Sequence, residues 1–377
     1  MNFMSPFKFN QTNNDGVART GLFTTIHGEF ETPQFMPVGT RGSVKGVDCE
    51  QIRAIGTQVM LVNTYHLWLR PSPEVVEQLG GIHKFTGFSG PILSDSGGYQ
   101  VFSLATLRKV KEEGVEFRSH IDGELRFLTP ELAIEIQEKL GVDIAMAFDE
   151  CPPAGVSFSE AEKSLELTLR WAKRCKTARK QRRSTALFGI TQGNIYRALR
   201  TRAANELAEL DLDGYAIGGL SVGESKDAMR EVLNWHVSEL PSDKIKYLMG
   251  VGTPEDIVDA VKEGVDLFDC VMPTRAGRFG RAFVVGPEPY INLRNAKFKE
   301  DQGPIDETCR CLACRNYSKG YIHHLFKVSE MLAPQLVSIH NLRHYLDLME
   351  NIRSGIKSGT FNEVYDLVKA RWSTASE

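Results

Sequence analysis

Eight short apolar runs, most of them followed by a stretch with helical periodicity, constrain the fold of this chain more than any other feature. They fall at 35–38, 59–63, 91–94, 144–148, 186–190, 215–217, 245–249 and 267–271. Each is nearly continuous in apolar residues, the pattern of a strand buried on both faces. Amphipathic helices are expected between several of them, at 129–140, 159–183, 194–210, 225–240 and 253–263. The first opens Thr129-Pro130-Glu131, an N-cap with proline at the first helical position, and stops at Gly141. The second carries Leu165, Leu169 and Ala172 on one face. Buried strands alternating with helices predict an α/β fold, and eight of them fit a closed parallel β/α barrel better than an open sheet. Residues 110–128 break the rhythm. They alternate, with a turn at Asp122-Gly123, and read as an inserted β-hairpin.

At 377 residues, 42% hydrophobic and 25% charged, the chain can bury a large core and carry an appendage to the barrel. It divides into short N-terminal strands (1–34), a catalytic barrel (35–281) and a C-terminal subdomain (282–377) with helices expected at 317–331, 337–354 and 361–372. The opening residues lack the apolar core of a signal peptide, and no stretch has the length and hydropathy of a membrane span. A cytoplasmic protein with no membrane partner is expected. Net charge is −3, so any affinity for nucleic acid must come from local patches.

In a β/α barrel the residues that end the strands line the active face. Here they are Asp95, Asp149 with Glu150, Gln192, Gly218 with Gly219, and Met249 with Gly250, while Asp269 lies within the eighth run. Carboxylates, an amide and glycines converging on one face point to a site. Asp269 is the most telling of them, because a charge inside a buried strand is costly unless it is paired or used. Pro273 is expected to end that strand. Arg275, Arg278 and Arg281, with Gly277 and Gly280 between them, then read as a flexible cationic loop suited to phosphates. A second basic run, 170–183, holds eight Lys/Arg and no acid, and reads as a solvated helix face.

Three of the seven cysteines, Cys309, Cys311 and Cys314, lie within six residues. An odd count without an export signal argues against a disulfide scaffold. The spacing predicts a closed, structural zinc site whose fourth ligand is one of His323, His324, His340 or His344.

Together the segments SDSGGYQVFSL (94–104), FDECPP (148–153), ITQGN (190–194), IGGLSVGE (217–224), YLMGVGTPED (247–256), FDCVMPTRAGR (268–278) and CRCLAC (309–314) resemble the bacterial tRNA-guanine transglycosylases, in the same order along the chain. The resemblance implies exchange of guanine at the wobble position of tRNAs with GUN anticodons for 7-aminomethyl-7-deazaguanine. It implies a homodimer and one structural Zn2+ per chain on Cys309, Cys311, Cys314 and His340. Asp269 matches the nucleophile and Asp95 the general acid/base. Asp95, Asp149, Gln192, Gly219 and Leu220 match the residues that read the purine, with Tyr99 and Met249 sandwiching it. Two segments match the RNA-binding loops: Gly250, Val251, Gly252, Thr253, Pro254, Glu255 and Asp256, then Thr274, Arg275, Ala276, Gly277 and Arg278. Cys151 and Val222 stand where relatives that accept queuine have glycines, which implies a pocket for a smaller base. Thr253 and Phe279 depart from the Lys and Asn that many members carry. A zinc-bearing barrel hydrolase of nucleosides or glycosides would use the carboxylates, but neither the arginines nor the purine-reading set.

Overall fold

The structure is a computed structural model, and it describes residues 6–104, 108–180 and 184–373. The chain opens with three antiparallel strands, β1 (Lys8–Asp15), β2 (Ala18–Thr25) and β3 (Gly28–Thr32). Next come β4 (Gln34–Met36), β5 (Met60–Val62) and β6 (Ile92–Ser94). An excursion follows through β7 (Arg108–Lys111), β8 (Gly114–Arg118) and β9 (Leu125–Leu128). The series resumes with β10 (Ile144–Met146), β11 (Ala186–Thr191), β12 (Gly214–Ile217), β13 (Ile245–Leu248) and β14 (Leu267–Asp269). β4–β6 and β10–β14 form one eight-stranded parallel sheet in the order β4-β14-β13-β12-β11-β10-β6-β5. A parallel bridge from Val38 to Leu61 joins its two edges, so the sheet closes into the expected barrel.

The barrel's lumen is filled by inward side chains of alternate strand positions, among them Met36, Leu61, Leu93, Met146, Phe188, Ile190, Ala216 and Leu267. Phe23 and Phe30 of the N-terminal sheet plug its floor, Phe23 meeting Phe188 edge-on at 5.8 Å. Residues 1–34 therefore contribute to the barrel's own core. Arg19 of β2 binds fully buried Asp266 through both carboxylate oxygens, at 3.0 and 2.6 Å. At the same floor His27 Nδ1 and His83 Nε2 meet the two oxygens of Asp143 at 2.9 and 3.0 Å, with the imidazoles stacked. The Ile92 N–H also donates to Asp143, so the group braces the β2–β3 turn against the barrel.

The helices form where their caps dictate. Thr129 accepts from the Leu132 N–H, and Gly141 ends the helix Pro130–Leu140 in the left-handed region at φ +73°. Ser157 and Glu160 form a capping box that starts the next helix at Phe158, and it runs to Ala178. Its basic face is largely neutralised, with Arg170 on Glu112 and Arg174 on Glu131. Arg182 and Arg183 of that run lie outside the described residues.

The insertion at 110–128 is a three-stranded antiparallel meander, because β7 adds a strand through a turn at Glu112-Glu113. The helix expected at 317–331 is there but shorter, spanning Lys319–Lys327. Helices Leu312–Asn316 and Lys319–Lys327 meet at Ser318, which N-caps the second by accepting from the Tyr321 N–H. The helix expected at 337–354 spans Leu332–Ser358. Pro334 sits in its first turn, where a missing N–H breaks no helical bond. This helix packs along the N-terminal sheet and the helix Met272–Arg278, and the helix Phe361–Ser373 follows it. Between barrel and subdomain lies the hairpin of β15 (Arg281–Phe283) and β16 (Tyr290–Asn292).

Candidate active site

The C-terminal ends of the barrel strands open into a cavity of about 1020 Å³. Its lining includes Asp95, Tyr99, Asp149, Cys151, Gln192, Gly219, Leu220, Val222, Met249 and Asp269. Parallel strands of matched register place residues far apart in the chain on this one rim.

Asp269 is the last residue of β14. The Tyr247 hydroxyl donates to its Oδ1 at 2.5 Å, and the Gly250 N–H donates to the same oxygen at 2.8 Å. Oδ2 receives no donor among the described residues. Burial raises the carboxyl above its usual range, and the two donors partly offset that. Asp95 follows β6. It accepts from the Asn63 amide, from the Thr64 N–H at 2.9 Å and from the Gly97 N–H at 3.2 Å. Burial pushes it up to about 6 despite these bonds, and the Asp269 charge nearby adds to the rise.

Asp149 lies across the cavity. Ser96 Oγ donates to its Oδ1 at 3.0 Å, and Gln192 Nε2 to its Oδ2 at 2.8 Å. Burial pushes this carboxyl up to about 6 as well. Gln192 Oε1 is buried without a partner among the described residues. Gly219 must be glycine twice over. Its φ is +65°, and a Cβ would stand 2.3 Å from Gln192 Oε1. Tyr99, 54% exposed, and half-buried Met249 flank the cavity with an aromatic ring and a thioether. The Cys151 thiol is pushed up to about 12, chiefly by burial, so it stays neutral and acts through its size.

Glu150 does not join this set. Neighbouring residues of an extended segment point to opposite sides. Its N–H donates to Thr168 Oγ1 at 3.0 Å, and the residue borders a separate surface hollow with Ser164. The cationic loop expected after Asp269 is instead the helix Met272–Arg278, with Pro273 near its start, and the strand already ends at Asp269. Helical geometry turns Thr274 and Gly277 inward, and a Cβ on Gly277 would come within 2.8 Å of Ser338 N. Arg275 is exposed and Arg278 half-buried, while Arg281 lies just beyond the helix; Arg275 and Arg281 line the cavity mouth. None of these three guanidiniums pairs with a carboxylate among the described residues. Burial and the Arg275 charge lower the pKa of Arg278, the signature of cations gathered without a counter-charge.

Ala276 of the helix Met272–Arg278 is half-buried; in the other loop Gly250 is exposed, whereas Val251, Pro254 and Asp256 are buried. Thr253 and Asp256 form a reciprocal capping box for the helix Pro254–Lys262. Gly252 lends its carbonyl to the Tyr345 hydroxyl at 3.0 Å, and Glu255 pairs with Lys226, Arg230 and Lys369. Most of this segment thus holds its own shape. Tyr247, Asn63 and Ser96 join the site beyond the residues expected from the sequence. Asn63 ends an apolar run as Asp95 does, and that position was the available signal.

Away from the cavity, Cys309, Cys311, Cys314 and His340 place their ligand atoms within 4.8 Å of one another. His340 Nδ1 lies 3.2 Å from Cys314 Sγ and 3.7 Å from Cys311 Sγ. Its Nε2 lies 2.6 Å from the Phe283 carbonyl, which fixes the proton there and leaves the Nδ1 lone pair facing the sulfurs. The donor set fits a closed tetrahedral metal centre. His344 packs instead beside Phe283, and His323 Nδ1 bonds the Leu293 carbonyl.

Residues 14–374 match the family model described as queuine tRNA-ribosyltransferase. The chain is 52% identical over 361 residues to the queuine tRNA-ribosyltransferase of Acinetobacter baylyi, covering 95% of this chain and 93% of that one. It is 53% identical over 350 residues to the enzyme of that name from a Psychrobacter species, covering 92% and 91% of the two chains. The Acinetobacter baumannii enzyme is 53% identical over 358 residues, 94% of each chain. Among the described residues no helix is long and apolar enough to cross a membrane. With a match over nearly its whole length and this identity to its relatives, the chain belongs to the queuine tRNA-ribosyltransferases, a family of pentosyltransferases.

Proposed function

We propose that this chain exchanges guanine at the wobble position of tRNAs with GUN anticodons (those for Asp, Asn, His and Tyr) for 7-aminomethyl-7-deazaguanine, in queuosine biosynthesis. The reading rests above all on Asp269, whose Oδ1 is held by two donors while Oδ2 is open to a cavity rimmed by unpaired arginines. Oδ2 attacks the ribose anomeric carbon as the C–N bond to guanine breaks and the departing base takes a proton from Asp95, giving a covalent enzyme–RNA ester. The incoming base gives its ring proton to Asp95 and displaces Asp269, so two inversions retain configuration. Asp149 accepts from the ring N–H and amino group of the base, while the Gln192 amide and the Gly219 N–H donate to its carbonyl. Leu220 contributes its carbonyl to the incoming base. Tyr99 and Met249 sandwich the flipped base, offsetting part of the cost of unstacking it. Arg275, Arg278 and Arg281 hold phosphates of the anticodon loop, with Gly250 on the facing loop. The Cys3His centre holds one Zn2+, which is structural and takes no part in the chemistry. A homodimer in the cytoplasm completes the reading.

Cys151 and Val222 narrow the cavity where a bulky 7-substituent would lie. Forcing extra atoms into such a site costs about 1–3 kcal/mol, roughly tenfold to a hundredfold in affinity. Against labelled guanine exchanging into tRNA, 7-aminomethyl-7-deazaguanine should compete well and queuine poorly. The double variant Cys151→Gly, Val222→Gly should narrow that gap. No label entering tRNA would defeat the reading, and equal competition by both bases would defeat the assignment of the small substrate.

Acid should stop the reaction. Asp149 stands at about 6, and the carboxyl of Asp269 is also raised by burial. Both are needed as anions, so kcat/KM should fall as pH drops through about 6. The sign for stability is opposite. Folded pKa values above the unfolded carboxylate value mean that the folded state takes up these protons first. Acidification from pH 7 to 5 therefore costs no stability through Asp95 or Asp149. Exchange and circular dichroism over pH 5–9 should show activity lost before structure. A rate that stays flat down to pH 5 would contradict the assignment.

A further inference from the structure

Arg200 lies in the helix Arg197–Ala208 and is fully buried behind the cavity wall. It forms no ion pair among the described residues. Its donors go to backbone carbonyls: Nε to Asn194 O at 2.5 Å, and Nη2 to Gly218 O at 2.9 Å and Gly219 O at 3.4 Å. Nη1 is buried with no partner among the described residues. A cation buried without a counter-charge is costly to keep, and packing or simple loop anchoring would be served by a neutral amide.

The peptide whose carbonyl binds Nη2 is the one whose N–H belongs to Gly219. That N–H is directed at the Cys151 sulfur, and both residues line the cavity. A charge-assisted bond to a peptide oxygen draws electron density from the nitrogen and makes its N–H a stronger donor. We propose that Arg200 is a positioning residue that polarises the Gly218–Gly219 peptide, so that the Gly219 N–H selects bases carrying a 6-carbonyl. The inference rests on the purine-binding role proposed above for Gly219. It adds what gives that neutral donor its strength. The bond from Nη2 also holds the peptide plane, so orientation and polarity are set by one side chain.

The test is base binding measured by calorimetry on the zinc-loaded chain without tRNA, using guanine and 2-aminopurine, which keeps the amino edge and lacks the 6-oxygen. Arg200→Met should weaken guanine at least tenfold and 2-aminopurine less than threefold. Arg200→Lys keeps the charge and the aliphatic stem, so it should fold even if the Met variant does not, and should lose less for guanine. Equal weakening of the two bases would reduce Arg200 to a packing role and overturn the proposal, as would unchanged guanine affinity. Because the readout is equilibrium binding, it stands apart from exchange. A wild-type chain that binds guanine but puts no label into tRNA would overturn the proposed reaction and leave the role of Arg200 still measurable.

Discussion

Asp269→Asn is expected to abolish base exchange, by about 10⁴-fold or more, with tRNA affinity changed less than about threefold. The amide is nearly isosteric, and its oxygen can still accept from the Tyr247 hydroxyl and the Gly250 N–H, so the rim should keep its shape. What disappears is the anionic oxygen on the cavity side, and a neutral amide neither traps nor stabilises an oxocarbenium-like ribose. The enzyme–RNA adduct on denaturing gels should vanish with the carboxylate, while filter binding of tRNA persists through the arginines. Turnover above about one hundredth of wild type would exclude Asp269 as the nucleophile.

Cys311→Ala should remove the metal and destabilise the C-terminal subdomain, by on the order of 5 kcal/mol, since a structural metal contributes its binding energy to folding. Cys311 is buried, and its sulfur also accepts from the Cys314 N–H. The effect should reach the site along a defined route. His340 binds the Phe283 carbonyl, and Asn341 beside it accepts from the Phe283 N–H and donates to the carbonyls of Pro273 and Arg281. Those bonds orient the helix that carries Arg275 and Arg278. We therefore expect a lower melting temperature, faster hydrogen exchange in Leu332–Ser358, and a higher KM for tRNA than for the free base. Loss of the metal with unchanged melting and activity would show that the centre does not support the fold.

The barrel was legible because its signal is local. Apolar runs of strand length recur eight times, most of them followed by helical periodicity, and parallel connectivity then puts every strand's C-terminal end on one face. That rule alone predicts Asp95, Asp149, Gln192, Gly219 and Asp269 on one rim, and three cysteines in six residues mark a cluster of metal-ligand type equally locally. What the pattern could not reveal depends on contacts distant in the chain. Glu150 shares every sequence attribute of Asp149, yet one residue's offset along an extended segment turns it away. The arginine segment looks like a loop by its glycines, but Gly277 is there because Ser338, 61 positions later, presses against it, and that contact lets the segment close into a helix. Tyr247 and Arg200 read as ordinary strand and helix residues. Only the closed barrel places the phenol on the oxygen of Asp269, and a cation behind the peptide of Gly219. Periodicity determines which element forms and which face it buries. The partner waiting on that face is decided by the fold, because hydrogen bonds and close packing act over a few ångströms whatever the separation along the chain.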